Sequence, residues 1–189
     1  MIKLPNYLKE LQPLPEDLSN QKTYGYQNQN FNAFVKVFPV LNMKSLMPAD
    51  FVELVGGIHS ALSDDQGLIE VNIISSSKTG LPIVYSIIKT YLGTKYGVQY
   101  FLKLQLLANN KVYEINAFFG EEGITGVREA TIMAKYNKMP ADWMQDPYDK
   151  EFKKGIRMNE SEKIIYDFIF PYHPLTKCRE LIEFIRDNN

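Results

Sequence analysis

Val98, Tyr100, Leu102, Leu104 and Leu106 alternate with Gln99, Lys103 and Gln105, the period-two pattern of a half-buried strand. Asn109-Asn110 follows, and then a second alternation sets Tyr113, Ile115, Ala117 and Phe119 against Glu114 and Asn116. Asn tolerates positive φ, so this dipeptide can close a two-residue type I′ hairpin. With Ala108 opposite Lys111, Leu106 faces Tyr113, Leu104 faces Ile115, Leu102 faces Ala117 and Tyr100 faces Phe119. The reverse side pairs Gln105 with Glu114, Lys103 with Asn116, Phe101 with Phe118 and Leu107 with Val112. A slip of one residue would mix the two sets, so the turn and the pattern specify each other.

The same reading extends in both directions. Leu68 to Ser75 alternates through Ile69, Val71 and Ile73, and Ile83 to Tyr91 through Ile83, Tyr85 and Ile87. Short connections between four successive strands require an antiparallel meander, because parallel neighbours need long crossovers. Upstream, Lys22 to Gln27 and Phe31 to Phe38 flank Gln27-Asn28-Gln29-Asn30 and predict a first hairpin. Pro5, Pro13 and Pro15 leave room in the first twenty residues for no more than a turn of helix around Tyr7 to Leu11. That stretch reads as an arm laid over the domain.

Helical spacing occurs three times. Phe51, Val55, Ile58 and Leu62 predict a helix from about Pro48 to Leu62, with Gly56-Gly57 in its middle. That pair costs on the order of 1 kcal/mol per glycine against Ala; either the helix kinks there or its backbone comes close to the sheet, and the second arrangement would offset the cost. Thr125 is a plausible N-cap for a helix to Tyr136 with Val127, Ala130, Thr131 and Ala134 inward. Leu175, Cys178, Leu181, Ile182 and Ile185 form the buried stripe of a last helix beginning near Pro174, flanked by an Arg179–Glu183 pair at i,i+4. Between these, Glu160 to Phe168 reads as a short helix, and Asn137 to Glu160 as a long irregular segment with aromatic anchors at Trp143, Tyr148 and Phe152. The fold class expected is α+β: one domain over residues 1–189, an antiparallel β-meander packed with helices in a three-layer α/β/α arrangement.

The segment Gly123-Ile124-Thr125-Gly126-Val127-Arg128-Glu129-Ala130, just past a long meander that follows a helix, resembles the PsbP-like fold group. The resemblance covers Phe31 to Tyr136. That group includes photosystem extrinsic subunits, Ran-binding nuclear-import factors and uncharacterised bacterial proteins. It implies an antiparallel sheet between helices and a non-catalytic role. No functional residue of those relatives maps onto a position here, and the segment after Asn137 departs from the group.

Charge narrows the partners. Lys and Arg number 21 against 22 Asp and Glu, with no dense basic stripe to track a phosphate backbone, so nucleic acid is not expected. No stretch reaches the length of a membrane span and the first residues lack a secretion signal. A soluble cytoplasmic protein is the expectation. The lone Cys178 allows neither an intrachain disulfide nor a thiolate zinc cluster.

Candidate chemistry is sparse. Ser75 to Gly80 lacks the glycine spacing of a phosphate loop and precedes a strand, so it reads as a hairpin turn. His59 and His173 are the two histidines, and nothing in their spacing brings them to acids; each reads as a boundary or capping residue. Glu121, Glu122, Arg128 and Glu129 gather at a helix start, where carboxylates complement the dipole. Asp142, Asp146, Asp149 and Glu151 around Trp143 lack the calcium-loop spacing and suit a solvated loop or a basic partner.

Three functions fit. The first is a non-catalytic protein-binding module, an adaptor or an immunity-type protein, with Trp143 and Tyr148 as anchors and Asp142, Asp146 and Arg128 beside them. The second is a small-ligand binder using a cleft between the sheet and the Asn137 to Glu160 segment. The third is an enzyme built on Glu121, Glu122, Arg128 or His173, which a cleft gathering them would favour. No cofactor is implied.

Overall fold

The computed structural model describes residues 2–13, 20–40, 50–93, 97–136 and 141–189. Seven antiparallel strands make one sheet in the order β1-β2-β3-β7-β6-β5-β4. They are β1 (Lys9–Glu10), β2 (Lys22–Gln27), β3 (Phe31–Val40), β4 (Gln66–Ser75), β5 (Pro82–Tyr91), β6 (Val98–Ala108) and β7 (Lys111–Glu121). Among the described residues three α-helices accompany them: α1 (Phe51–Ala61), α2 (Val127–Met133) and α3 (Pro174–Asn188). Two 3₁₀ turns, Glu160–Glu162 and Ile164–Ile169, replace the single short helix expected there.

The expected hairpin register is present at every pair, from Ala108–Lys111 to Tyr100–Phe119. Asn109 and Asn110 have φ of 50° and 56°, as a type I′ turn demands. The meander β4 to β7 and the β2–β3 hairpin also stand as read, and β3 pairs with β7 to join them. The arm differs from expectation. It carries the edge strand β1, paired with Gly25 and Tyr24 of β2, instead of a helical turn.

Both faces of the sheet are covered, unequally. One carries the main core, where Val35, Ile87, Leu102, Leu104, Ile115 and Ala117 meet Leu175, Cys178, Leu181 and Ile185 of α3. The other is covered by α1 over Leu68 and Val71, with Leu54, Val55, Ile58 and Ile88 packed around Leu62. The α1 start expected at Pro48 lies outside the described residues. Asp50 caps the observed helix, its carboxylate accepting from the Glu53 N–H at 2.7 Å.

Three local readings are corrected. Nothing lies within 4 Å of the Cβ position at Gly56 or Gly57, so no close approach to the sheet offsets their cost. α2 is turned over: Val127, Ala130, Thr131 and Ala134 are exposed, while Arg128 and Ile132 are buried against the 3₁₀ turn at Glu160. Its N-cap is Gly126 with φ 74°, whose N–H donates to the Glu121 carboxylate, in place of Thr125. Arg179 is buried and pairs with Glu70 and Asp167, not with Glu183.

Candidate functional site

Residues 141–173 form a strap across the end of the sheet, and buried charge fastens it. Lys89 and Tyr100 face each other across β5 and β6. Both reach Glu162: Lys89 Nζ donates at 2.8 Å and Tyr100 Oη at 3.0 Å. The same carboxylate accepts from the Asn159 N–H at 2.7 Å. Burial, reinforced by Glu162, pushes the Tyr100 hydroxyl well above its ordinary range, so it remains a donor.

Arg128 and Arg179 fasten the next turn. Arg128 donates to the carbonyls of Ser161 at 2.6 Å and Lys163 at 3.0 Å, to Thr176 Oγ1 at 3.1 Å and to Asp167 at 2.8 Å. Its guanidinium stacks over Phe170, 5.6 Å from the ring centre. Arg179 donates to Glu70 at 2.8 Å, to both Asp167 oxygens and to the Glu162 carbonyl. Removing one partner from such a buried set leaves uncompensated charge and is strongly destabilising.

This fastening holds an apolar ridge out of the core. Ile164, Ile165, Phe168, Ile169 and Tyr172 are all exposed, Phe168 by 81 %. None of the residues of the 3₁₀ turn Ile164–Ile169 is buried. Ile124, 84 % exposed, and Val127 stand beside them across a cleft of about 490 Å³, which Ile169, Phe170, Pro171 and Tyr172 also line. The sequence predicts a short helix at Glu160 to Phe168 and does not anticipate that these side chains stand at the surface.

The cleft brings together Glu121, Glu122, Arg128 and His173, as the enzyme reading required. Each polar group there already has partners within the chain. Glu121 takes the Gly126 N–H and lies 3.4 Å from His173 Nε2. Glu122 accepts from Asn32 at 2.6 Å and Gln27 at 3.3 Å. His173 caps α3, its Nδ1 accepting from the Leu175 N–H at 3.2 Å. Burial lowers the His173 pKa, outweighing the pull of Glu121. All four line the cleft while bonded within the chain.

Of the other candidates, Asp142, Trp143, Asp146 and Tyr148 line a second concavity of about 400 Å³ within the strap, while Arg128 lies away from it. Trp143 is 3 % exposed and packs edge-on to Tyr136, so its ring is the strap's own core and not a presented anchor. Asp146 binds His59 Nε2 at 3.0 Å, and the His59 ring stacks on Phe152 at 4.0 Å, which ties the strap to α1. Tyr148 spans the boundary with β4: its Oη accepts from the Val71 N–H and donates to the Val71 carbonyl. With the Ile156 N–H on the Gln66 carbonyl, these bonds close the boundary where a ligand cleft was expected. Cys178 is buried, which pushes its thiol up and keeps it protonated. Ser76 to Gly80 is a hairpin turn that also holds the end of α3, Ser77 N–H donating to the Arg186 carbonyl.

Among the described residues no group of three His, Cys, Asp or Glu side chains could hold a metal ion. No helix among them is long and apolar enough to cross a membrane. No protein-family model matches the sequence, and no curated protein does. Among solved structures, the chain is similar to the Ran-binding protein Mog1p of Saccharomyces cerevisiae, with a TM-score of 0.36 and 10 % identity over 70 % of this chain and 76 % of that one.

Proposed function

We propose that this chain is a non-catalytic protein-binding module of the cytoplasm, an adaptor or an immunity-type protein that covers a partner's surface. The observation that carries this reading is the ridge of Ile164, Ile165, Phe168, Ile169 and Tyr172, exposed together on a segment that Arg128 and Arg179 hold rigid. A contiguous apolar patch rimmed by charge marks an interaction surface. Aromatic anchors on a preorganised support are the usual centre of binding energy, because little order is lost on docking. Phe168 and Tyr172 serve as those anchors. Lys177, whose ammonium lies 5.6 Å from the Tyr172 ring centre, and Glu180 and Glu183, which share a hollow with Ile164 and Phe168, form the polar rim. Asp142 and Tyr148, both exposed on the neighbouring part of the strap, would set orientation instead of supplying the apolar contact, while Asp146 is buried against His59 and stays within the fold.

The test is an affinity capture from the native cell lysate, run in parallel with Phe168→Ser and Ile165→Ser. Both side chains are exposed, so the variants should keep their folding stability within about 0.5 kcal/mol. A stoichiometric protein held by the parent and lost by both variants supports the module. Equal retention by parent and variants would move the surface away from the ridge, and no retained protein at all would sink the reading.

A further inference from the structure

The second face of the sheet contains a pocket that the strap does not touch. α1 covers only part of that face. Between the helix and the sheet lies a space of about 470 Å³, lined by Leu54, Gly57, Ile58 and Leu62 above and by Ser86, Ile88, Phe101 and Lys103 below. This is the size of pocket that takes a small organic molecule.

Its floor has two rungs of different character. Ile88 lies opposite Phe101 and Ser86 opposite Lys103 in the β5–β6 register. Phe101 in turn stacks on Phe118, 4.8 Å between centres and 27° apart, which fixes its ring. An apolar platform therefore adjoins a hydroxyl and an ammonium. Among the described residues Lys103 pairs with Glu114, at 3.5 Å, and that carboxylate also takes amide hydrogens from Gln105 at 2.7 Å and Asn116 at 3.0 Å. The ammonium is thus loosely held beside the pocket.

The roof supplies an independent observation. Gly57 lines this pocket, and among the described residues, apart from its chain neighbours and the helix's own backbone, no atom lies within 4 Å of where its Cβ would stand. A glycine inside a helix costs stability against alanine. No turn, positive φ or internal close approach accounts for it here. A glycine that leaves helix backbone bare over an apolar platform makes room for an occupant lying close against the helix.

We infer that the space between α1 and the Ile88–Phe101 rung is a binding site for a small amphiphilic anion, a flat aromatic or short aliphatic body carrying one carboxylate or sulfonate. The body lies on Phe101 and Ile88 under Gly57. The anionic head meets Lys103 and Ser86. Glu53, which lines the same pocket from the first turn of α1, opposes that head and limits the affinity.

Anilinonaphthalene sulfonate is the probe, titrated by calorimetry and by fluorescence, with decanoate as competitor. The expected result is saturable binding of one probe per chain, displaced by decanoate. Gly57→Leu fills the space and should abolish binding, while Gly56→Ala, which does not line the pocket, should raise the melting temperature and leave binding unchanged. Lys103→Met should weaken binding about tenfold and Glu53→Gln should strengthen it, since the two act with opposite sign. Phe168→Ser separates this site from the exposed ridge. Binding that survives Gly57→Leu, or that disappears with Phe168→Ser, would overturn the inference without touching the protein-binding reading. Absence of saturable binding would overturn it as well.

Discussion

The Tyr148 hydroxyl closes the edge of the sheet at Val71, accepting from its N–H at 2.8 Å and donating to its carbonyl at 2.9 Å. β4 is an edge strand of ten residues, and an open edge of that length is a template for pairing with another chain. One hydroxyl therefore satisfies two backbone groups and anchors the strap. Tyr148→Phe keeps the ring and leaves both Val71 groups without it. The expected cost is about 1–3 kcal/mol, read from urea unfolding, with increased self-association in sedimentation velocity. An unchanged midpoint and a monodisperse variant would argue against this role.

Gly67 lies where the strap backbone packs directly on the sheet. A Cβ there would run into the Ile156 carbonyl oxygen, and the Ile156 N–H bonds to the neighbouring Gln66 carbonyl. Gly67→Ala should cost about 1–3 kcal/mol by forcing the backbones apart. Hydrogen exchange should rise at Ile156 and not at Leu104.

Arg128 tests whether the buried charges are structural. Arg128→Leu removes donors to Ser161, Lys163, Thr176 and Asp167 together. A loss of about 3 kcal/mol is expected. Arg128→Lys should recover less than half of it, since a single ammonium cannot span four acceptors. Full rescue by lysine would mean that charge alone, and not the planar fork, holds the strap.

His173 gives the chain a pH dependence of known sign. Burial holds its pKa in the folded chain below the value of about 6.5 for the unfolded chain. The unfolded state then binds the extra proton, so this contribution is full above about pH 6.5 and is lost as pH falls through the folded-state pKa. Protonation also removes Nδ1 as acceptor for the Leu175 N–H that it caps. Urea midpoints at pH 7.5 and pH 5 should fall further apart in the parent than in His173→Asn, since Asn caps a helix without titrating. Parallel shifts in both proteins would remove His173 from the account.

Legibility in the sequence followed how far each residue's environment is set by its neighbours. The β6–β7 register could be read because Leu104, Ile115 and their companions demand one face while Asn109-Asn110 supplies the turn. The stripe of α3 was readable for the same reason. α2 was read on the wrong face because burying Arg128 depends on carbonyls of Ser161 and Lys163, which are distant in sequence. The ridge was not legible: nothing local to Ile164 to Phe170 says that Arg128 and Arg179, bonding Asp167 and the neighbouring carbonyls, pin it at the surface. Around Trp143 the sequence could not say that the indole faces inward, edge-on to Tyr136.

The position of β7 between β3 and β6 sets an order of events during synthesis. β2 and β3 leave the ribosome early and can pair by a local turn, yet β3 needs β7 on its other side, as in the pairing of Val35 with Ala117. Closing so long a loop is entropically costly and such non-local pairings form late. For that interval β3 has a bare edge bearing Phe34, Val35 and Val37, a hydrophobic strand that a chaperone would shield. Nascent chains stalled before residue 111 should therefore recruit chaperones more strongly than chains stalled after residue 121, once those residues have cleared the exit tunnel.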